Sequence, residues 1–248
     1  MGCLSFDEID DRLKFTTVTT AAADIGDGAW TICWVGKRAS TGTNFNAVCY
    51  GLSGSGNGTT ELGMSFKTGN QLVIDVSAGT ETFSTFTSTA SPYMLALSKG
   101  AGTVTPRLGW KLGSGGAWSH ENLDATLADQ IDLTMFEIGA WQGTGDFFHG
   151  WMAVIGLWEG AMSDANKEAL DNNWRTSDLY SSAHGTPVAL FELNVAGASV
   201  IDILGNISGV SATGTTLDAA ETCDSWNFNG NGGPPPPAPT SYMLNYHR

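Results

Sequence analysis

The sequence predicts an all-β sandwich. Three observations point there. Short apolar–polar alternations recur along most of the chain, Gly-rich turns separate them, and one brief helical signature stands among them. The chain has 248 residues, of which 42% are hydrophobic and 32 are glycine. That suits one domain with a sizeable core and excludes a disordered chain.

The first segment, "CLSFDEIDDRLKFTTV", alternates Leu4, Phe6, Leu13 and Phe15 around an acidic turn and reads as two short strands. In "AWTICWVGKR", Trp30, Ile32 and Trp34 oppose Thr31, Cys33 and Val35. Both faces are fairly apolar, so this strand is expected at a sheet centre. "NFNAVCYGL" reads as its hairpin partner and "SGSGNGTT" as a turn. Strands are then expected in "ELGMSFKT", "QLVIDVSA", "ETFSTFTS", "PYMLALSK" and "TVTPRLGWKL". The "GN" between two of them is a hairpin signal. "GSGGAWSHENLDATLADQID" is a polar connection, "LTMFEIGAW" a strand and "QGTGD" a turn.

"FFHGWMAVIGLW" is strand-like, with Gly150 and Gly156 allowing bends or close approach. Ser163 then supplies a helix N-cap, because its hydroxyl can accept from first-turn N–H groups. Asp164 sits where the helix dipole favours negative charge, and Lys167 is spaced to pair with Asp171. A helix is expected near 164–173. It is too short to persist alone and must dock on the sheet. "VALFELN", "SVIDILGN" and "ETCDSWNF" read as closing strands. The sandwich is assigned to 1–230, a Gly/Pro-rich linker to 231–240 and a docking segment to 241–248. Pro234, Pro235, Pro236 and Pro237 favour an extended polyproline spacer. Tyr242, Met243, Leu244 and Tyr246 are apolar for a terminal segment, so the whole reads as an assembly arm.

The formal net charge is −14. A surface this acidic repels phosphate backbones, so nucleic acid is not an expected partner, and anionic membranes are disfavoured. No apolar run is long enough to span a bilayer, and membrane insertion is not expected. "MGCLSFDEID" lacks the basic and apolar regions of a secretory signal. Phe6 stands where a myristoylation motif needs Ser or Thr. The four cysteines, Cys3, Cys33, Cys49 and Cys223, have no zinc-like spacing. Free thiols are expected from compartment logic, with Cys33–Cys49 and Cys3–Cys223 bridges as the alternative.

Three segments together resemble the laminin-G-like, concanavalin-A-like jelly-roll family. "LSFDEIDDRLKF" is similar to its opening strand, and "DGAWTICWVGKR" to a strand crossing the sheet centre. "HGWMAVIGLWEGAMSDANKEAL" resembles its strand, bend and short helix. The block "PVALFELNVAGASVIDILGN", with the later "GTTLD" and "WNF", resembles a tail seen in such domains on tailed-phage virions. The resemblance implies a concanavalin-A-like jelly-roll β-sandwich with one short helix and an extended C-terminal arm. It also implies a non-enzymatic structural role as a minor tail or capsid-decoration protein. Such a protein would be assembled in the host cytoplasm and located in the virion. Its partners would be other virion proteins and copies of itself. Weak recognition of host-surface glycan is a possible second role, and a bacterial carbohydrate-binding or adhesion module is the alternative.

The fold's glycoside hydrolases carry Glu-x-Asp-x-x-Glu on one strand, because two carboxylates must flank the scissile bond. The run Glu8-Ile9-Asp10-Asp11-Arg12-Leu13 ends in Leu13 where the second Glu is needed. "GLSGS" lacks the closing Gly of a nucleophile elbow. His120, His149, His184 and His247 show no helical zinc spacing. Asp7, Asp10, Asp11 and Asp146 could offer oxygen ligands to calcium but do not follow EF-hand spacing. Solvated turn residues explain them more simply, and no cofactor is expected. A sugar platform needs an exposed aromatic face with polar neighbours. Trp118 with His120, in "GGAWSHEN", fits best, and Trp141 comes second.

Overall fold

Strand alternation sorts the side chains into a core between two sheets and two outward faces. The computed structural model describes residues 2–19, 28–39, 46–53, 59–67, 70–76, 79–86, 88–102, 104–113, 115–122, 126, 133–141, 146–170, 185–193, 199–223, 226 and 228. The strands are β1 (Gly2–Asp7), β2 (Arg12–Val18), β3 (Trp30–Arg38), β4 (Asn46–Ser53), β5 (Thr59–Lys67), β6 (Gln71–Val76), β7 (Gly79–Thr85) and β8 (Tyr93–Lys99). They continue with β9 (Arg107–Leu112), β10 (Ser119–Asn122), β11 (Met135–Ile138) and β12 (His149–Glu159). After helix α1 (Asp164–Ala169) come β13 (Thr186–Glu192), β14 (Ile207–Thr213) and β15 (Thr216–Thr222).

Among the described residues, the first sheet runs β10-β9-β8-β3-β12-β1-β15, with β13 also paired to β12. The second runs β14-β2-β11-β4-β5-β6-β7. Every strand pair is antiparallel. The core between the sheets holds Leu4, Phe6, Leu13, Phe15, Ile32, Trp34, Phe136 and Phe191. Phe136 and Phe191 stack across it with centroids 5.5 Å apart, and Trp34 meets Phe66 at the same spacing. Such pairs add about 1 kcal/mol beyond their buried area.

β3 lies between β8 and β12, as its two apolar faces predict. The expected hairpin between β3 and "NFNAVCYGL" is not formed. β4 belongs to the other sheet and pairs with β5 and β11. Alternation reveals a strand but not its partner, and the chain crosses between sheets after β3. "SVIDILGN" is not a strand either. It is a turn organised by Asp202, whose carboxylate accepts from the N–H groups of Leu190 (2.8 Å), Leu204 (3.1 Å), Asn206 (2.7 Å) and Ile207 (3.0 Å). The closing strands are the polar β14 and β15. Only Glu221 and Thr222 of "ETCDSWNF" are in β15. Ser119–Asn122, expected within a polar connection, forms edge strand β10.

The β1–β2 and β14–β15 connections each pass from one sheet to the other and lie side by side. Gly214 sits there at φ +67°, and a methyl group on it would overlap the Asp11 carboxylate. The helix is shorter than expected. It ends at Ala169 with Leu170 as C-cap, and Asp171 lies outside the described residues. Ser163 Oγ accepts from Asn166 N at 3.3 Å, as the N-cap reading predicts. No helix among the described residues is long and apolar enough to cross a membrane.

The expectation of four free thiols is corrected. Cys3 and Cys223 form a disulfide with Cα atoms 5.5 Å apart, joining β1 to the end of β15. Cys33 and Cys49 are free and buried, and burial pushes each thiol up to about 12. They act as small apolar fillers, not nucleophiles. Pro234, Pro235, Pro236, Pro237, Tyr242, Met243, Leu244, Tyr246, His184 and His247 lie outside the described residues.

Candidate functional site

The outward face of the first sheet is floored by small or slender residues. Cys33 and Val35 of β3 and Met94 and Ala96 of β8 point away from the core into a second apolar cluster. A bulge between Met152 and Val154 turns both Ala153 and Val154 to this face. Met162, Leu170, Trp226 and Phe228 cover it, and Trp118 and Trp151 pack at its margin. Gly109 is needed beneath α1. An added methyl group would lie 3.0 Å from Lys167 Cδ and 3.1 Å from His120 Nδ1.

Charged groups fix α1 to β9 and β10. Arg107 Nε donates to Asp164 Oδ1 at 2.7 Å, and Nη2 to Oδ2 at 2.5 Å. This guanidinium holds the Asp164 carboxyl below the usual carboxylate range. Lys167 is fully buried and donates from Nζ to the Arg107 carbonyl at 2.8 Å. Burial lowers its ammonium to about 8. The structure therefore gives Lys167 a sheet partner, where the sequence suggested Asp171. His120 reaches up from β10. Its Nε2 is 2.9 Å from Glu168 Oε1, and its Nδ1 is 3.3 Å from Asp164 Oδ1, an ion-pair contact without hydrogen-bond geometry. Trp118 stacks on the His120 ring at 6.1 Å, 11° from parallel. Trp118 and His120 thus come together, as expected, but their polar partners belong to the helix.

Trp141 is placed elsewhere. It packs with Ala47, Tyr50 and Met135 on the outward face of the second sheet, its ring 6.2 Å from Tyr50. The Tyr50 ring covers Gly63, and its hydroxyl donates to Asp75 Oδ2 at 2.9 Å. Burial, then the neighbouring Asp75, raises the Asp146 carboxyl. The sequence singled out Trp141 and Asp146 in this patch, but for separate reasons and not as neighbours. Tyr50 lies in β4, whose partner the alternation did not reveal, whereas Asp75 lies in β6, whose hairpin with β5 the "GN" turn signalled.

The acidic turn is built for its own geometry. Asp7, Asp10 and Asp11 offer oxygen atoms within 4.8 Å of one another, and Asp146 is not in that group. Asp11 is buried and accepts from Asp7 N at 2.7 Å, while Asp7 Oδ1 accepts from Ile9 N at 2.9 Å. Glu8 pairs with His149 Nδ1 at 3.1 Å, a partner no local pattern foretold. Burial raises the Asp11 carboxyl to about 6. Between that value and an unfolded value of about 4, the folded chain holds more protons than the unfolded one. Stability from this group therefore falls as pH rises through that window. Asp11→Asn keeps an acceptor oxygen and removes the charge. It is expected to unfold at higher urea than wild type at pH 7 and to lose that advantage near pH 3.5. An unchanged difference across this range would refute the assignment.

No protein-family model matches the chain, and no curated protein matches it in sequence. Solved structures do. The heptameric SAP-like pentraxin of Limulus polyphemus superposes with a TM-score of 0.52 at 13% identity, covering 86% of this chain and 93% of that one. The fold is a concanavalin-A-like jelly roll. The full-length tailspike protein 2 of an Escherichia coli O157:H7 bacteriophage gives a TM-score of 0.53 at 15% identity over 77% of this chain. Its enzymatically active domain gives 0.51 at 14% identity. This chain spans 26% and 29% of those two tailspike chains. At such identities the likeness reaches the fold and no further.

Proposed function

We propose that the protein is a non-enzymatic structural component of a tailed-phage virion. In this reading it is a minor tail or capsid-decoration protein, assembled in the host cytoplasm against other virion proteins and copies of itself. The observation that carries the reading is the anchored exit of the C-terminal segment. Cys223 is covalently tied to β1, and Trp226 and Phe228 are buried on the body just beyond it. The remaining chain, with its four consecutive prolines, starts from a fixed base, as a segment that engages neighbours requires. The occurrence of the same sandwich in a phage tailspike adds support. In the run nearest to a glycosidase pattern, Glu8 is held by His149 and the core residue Leu13 stands where the second Glu is needed.

Deleting residues 234–248 is expected to leave the melting temperature unchanged and to abolish incorporation into particles. Normal incorporation would sink the proposal. Weak glycan recognition fits the Trp141 patch better than Trp118, whose ring faces His120. On a glycan array, Trp141→Ala is expected to remove binding that Trp118→Ala leaves in place. A silent wild-type array would remove this second role.

A further inference from the structure

We propose that the Trp141 patch on the second sheet binds amino sugars, with the sugar ring on Trp141 and its ammonium group against Asp146 and Asp75. The inference rests on the glycan reading of this patch and names the class of glycan. The strand register brings its parts together. Tyr50 of β4 pairs with Glu137 of β11 on one side and Gly63 of β5 on the other, and Gly63 pairs with Asp75 of β6. Gly63 has no side chain, so the Tyr50 ring lies across it and its hydroxyl reaches Asp75 Oδ2 at 2.9 Å. Asp146 arrives from a different part of the chain. Its carbonyl accepts from Ala47 N at 3.3 Å, and Ala47 packs with Tyr50 and Trp141.

Trp141, Asp75 and Asp146 are half-buried and can be reached, whereas Tyr50, Ala47 and Ser65 form a buried floor. Ser65 pairs with Ala47 and so shares its face. Its Oγ lies beside the Tyr50 hydroxyl without completing a hydrogen bond, which leaves one polar contact open under the patch. The charge is also unbalanced. Among the described residues, no donor reaches the Asp146 carboxylate, and the one charge that acts on it is Asp75, of the same sign. Lys14 is turned to Glu137, 3.9 Å from its Oε1. Lys67 follows two residues after Ser65 in β5, and neither lysine offsets Asp146.

This imbalance selects the ligand. A neutral sugar can donate hydroxyls to the two carboxylates but leaves their charges uncompensated. A carboxylated sugar adds a third negative charge. An ammonium group supplies N–H donors and the missing charge together, and charge-assisted hydrogen bonds are the stronger kind. An indole face beside it attracts the same cation and covers the apolar face of a sugar ring.

The test is titration calorimetry of the full-length protein with short glucosamine oligosaccharides, in the free-amine form and in the N-acetylated form. It is run at about pH 6, above the ordinary carboxylate range, in about 0.15 M salt to screen general attraction to an acidic protein. The free-amine form is expected to bind at least about tenfold more tightly than the N-acetylated form. Trp141→Ala should abolish binding of both. Asp146→Asn, which keeps the size of a half-buried side chain, should bring the free-amine form down to the affinity of the N-acetylated one. Equal binding of the two forms by wild type overturns the amino-sugar assignment and leaves the glycan reading standing. Binding of neither form removes both. A preference for the free amine that survives both substitutions is attraction to net charge alone, and it also overturns the assignment.

Discussion

Cys3→Ser is expected to cost the fold about 5 kcal/mol, because the lost crosslink closes nearly the whole chain. The two cysteines are 220 residues apart in sequence. On the chain-entropy account, loop closure is then near the upper end of what a single disulfide contributes. The native side of the ledger also loses. Cys223 begins the segment that places Trp226 and Phe228 over the outward face of the first sheet. Thermal unfolding with and without reductant checks this directly. Wild type in reductant should melt like Cys3→Ser in either condition. Cys33→Ala, by contrast, should give a protein that still responds to reductant. Equal melting temperatures for oxidised and reduced wild type would refute the expectation.

The second large effect is at Asp202. Asp202→Ala is expected to destabilise the protein by about 4 kcal/mol, since four backbone N–H groups lose their acceptor. Two of them, on Leu190 and Ile207, are in buried surroundings. Burial raises this carboxyl, and the four N–H bonds oppose the rise. Asp202→Asn keeps one acceptor oxygen and should lose about half as much. Urea unfolding at pH 7 measures both. A loss below about 1 kcal/mol in the alanine variant would mean that water replaces the carboxylate without cost.

The strands most exposed to the core were legible in the sequence. Trp30, Ile32 and Trp34 marked β3, and Trp151 through Trp158 marked β12, because central strands buried on both faces carry nearly continuous apolar runs. Ser163 marked the helix start through its capping chemistry. Pairing was less legible. β4 has the same alternation whether it meets β3 or β5, and only the crossing between sheets decides. β10, β14 and β15 were missed because edge strands carry polar residues and resemble connections. The disulfide was one of the two bridges that the even cysteine count allowed, and a compartment argument pointed away from both. In the candidate site, Trp118 and His120 were identified as neighbours in a polar segment. Their partners Asp164 and Glu168 were not, since a β-strand and a helix more than forty residues away share no local pattern.

The disulfide between β1 and the end of β15 also has a mechanical consequence. Tension applied between the residues before Cys3 and those after Cys223 runs through the sulfur–sulfur bond. The 219 residues between the two cysteines lie off that line of force. Both sheets and α1 are thereby shielded from a pull that would otherwise peel β15 from β1. In the oxidised protein, the strength of the tether is that of a covalent bond and not that of a β-sheet.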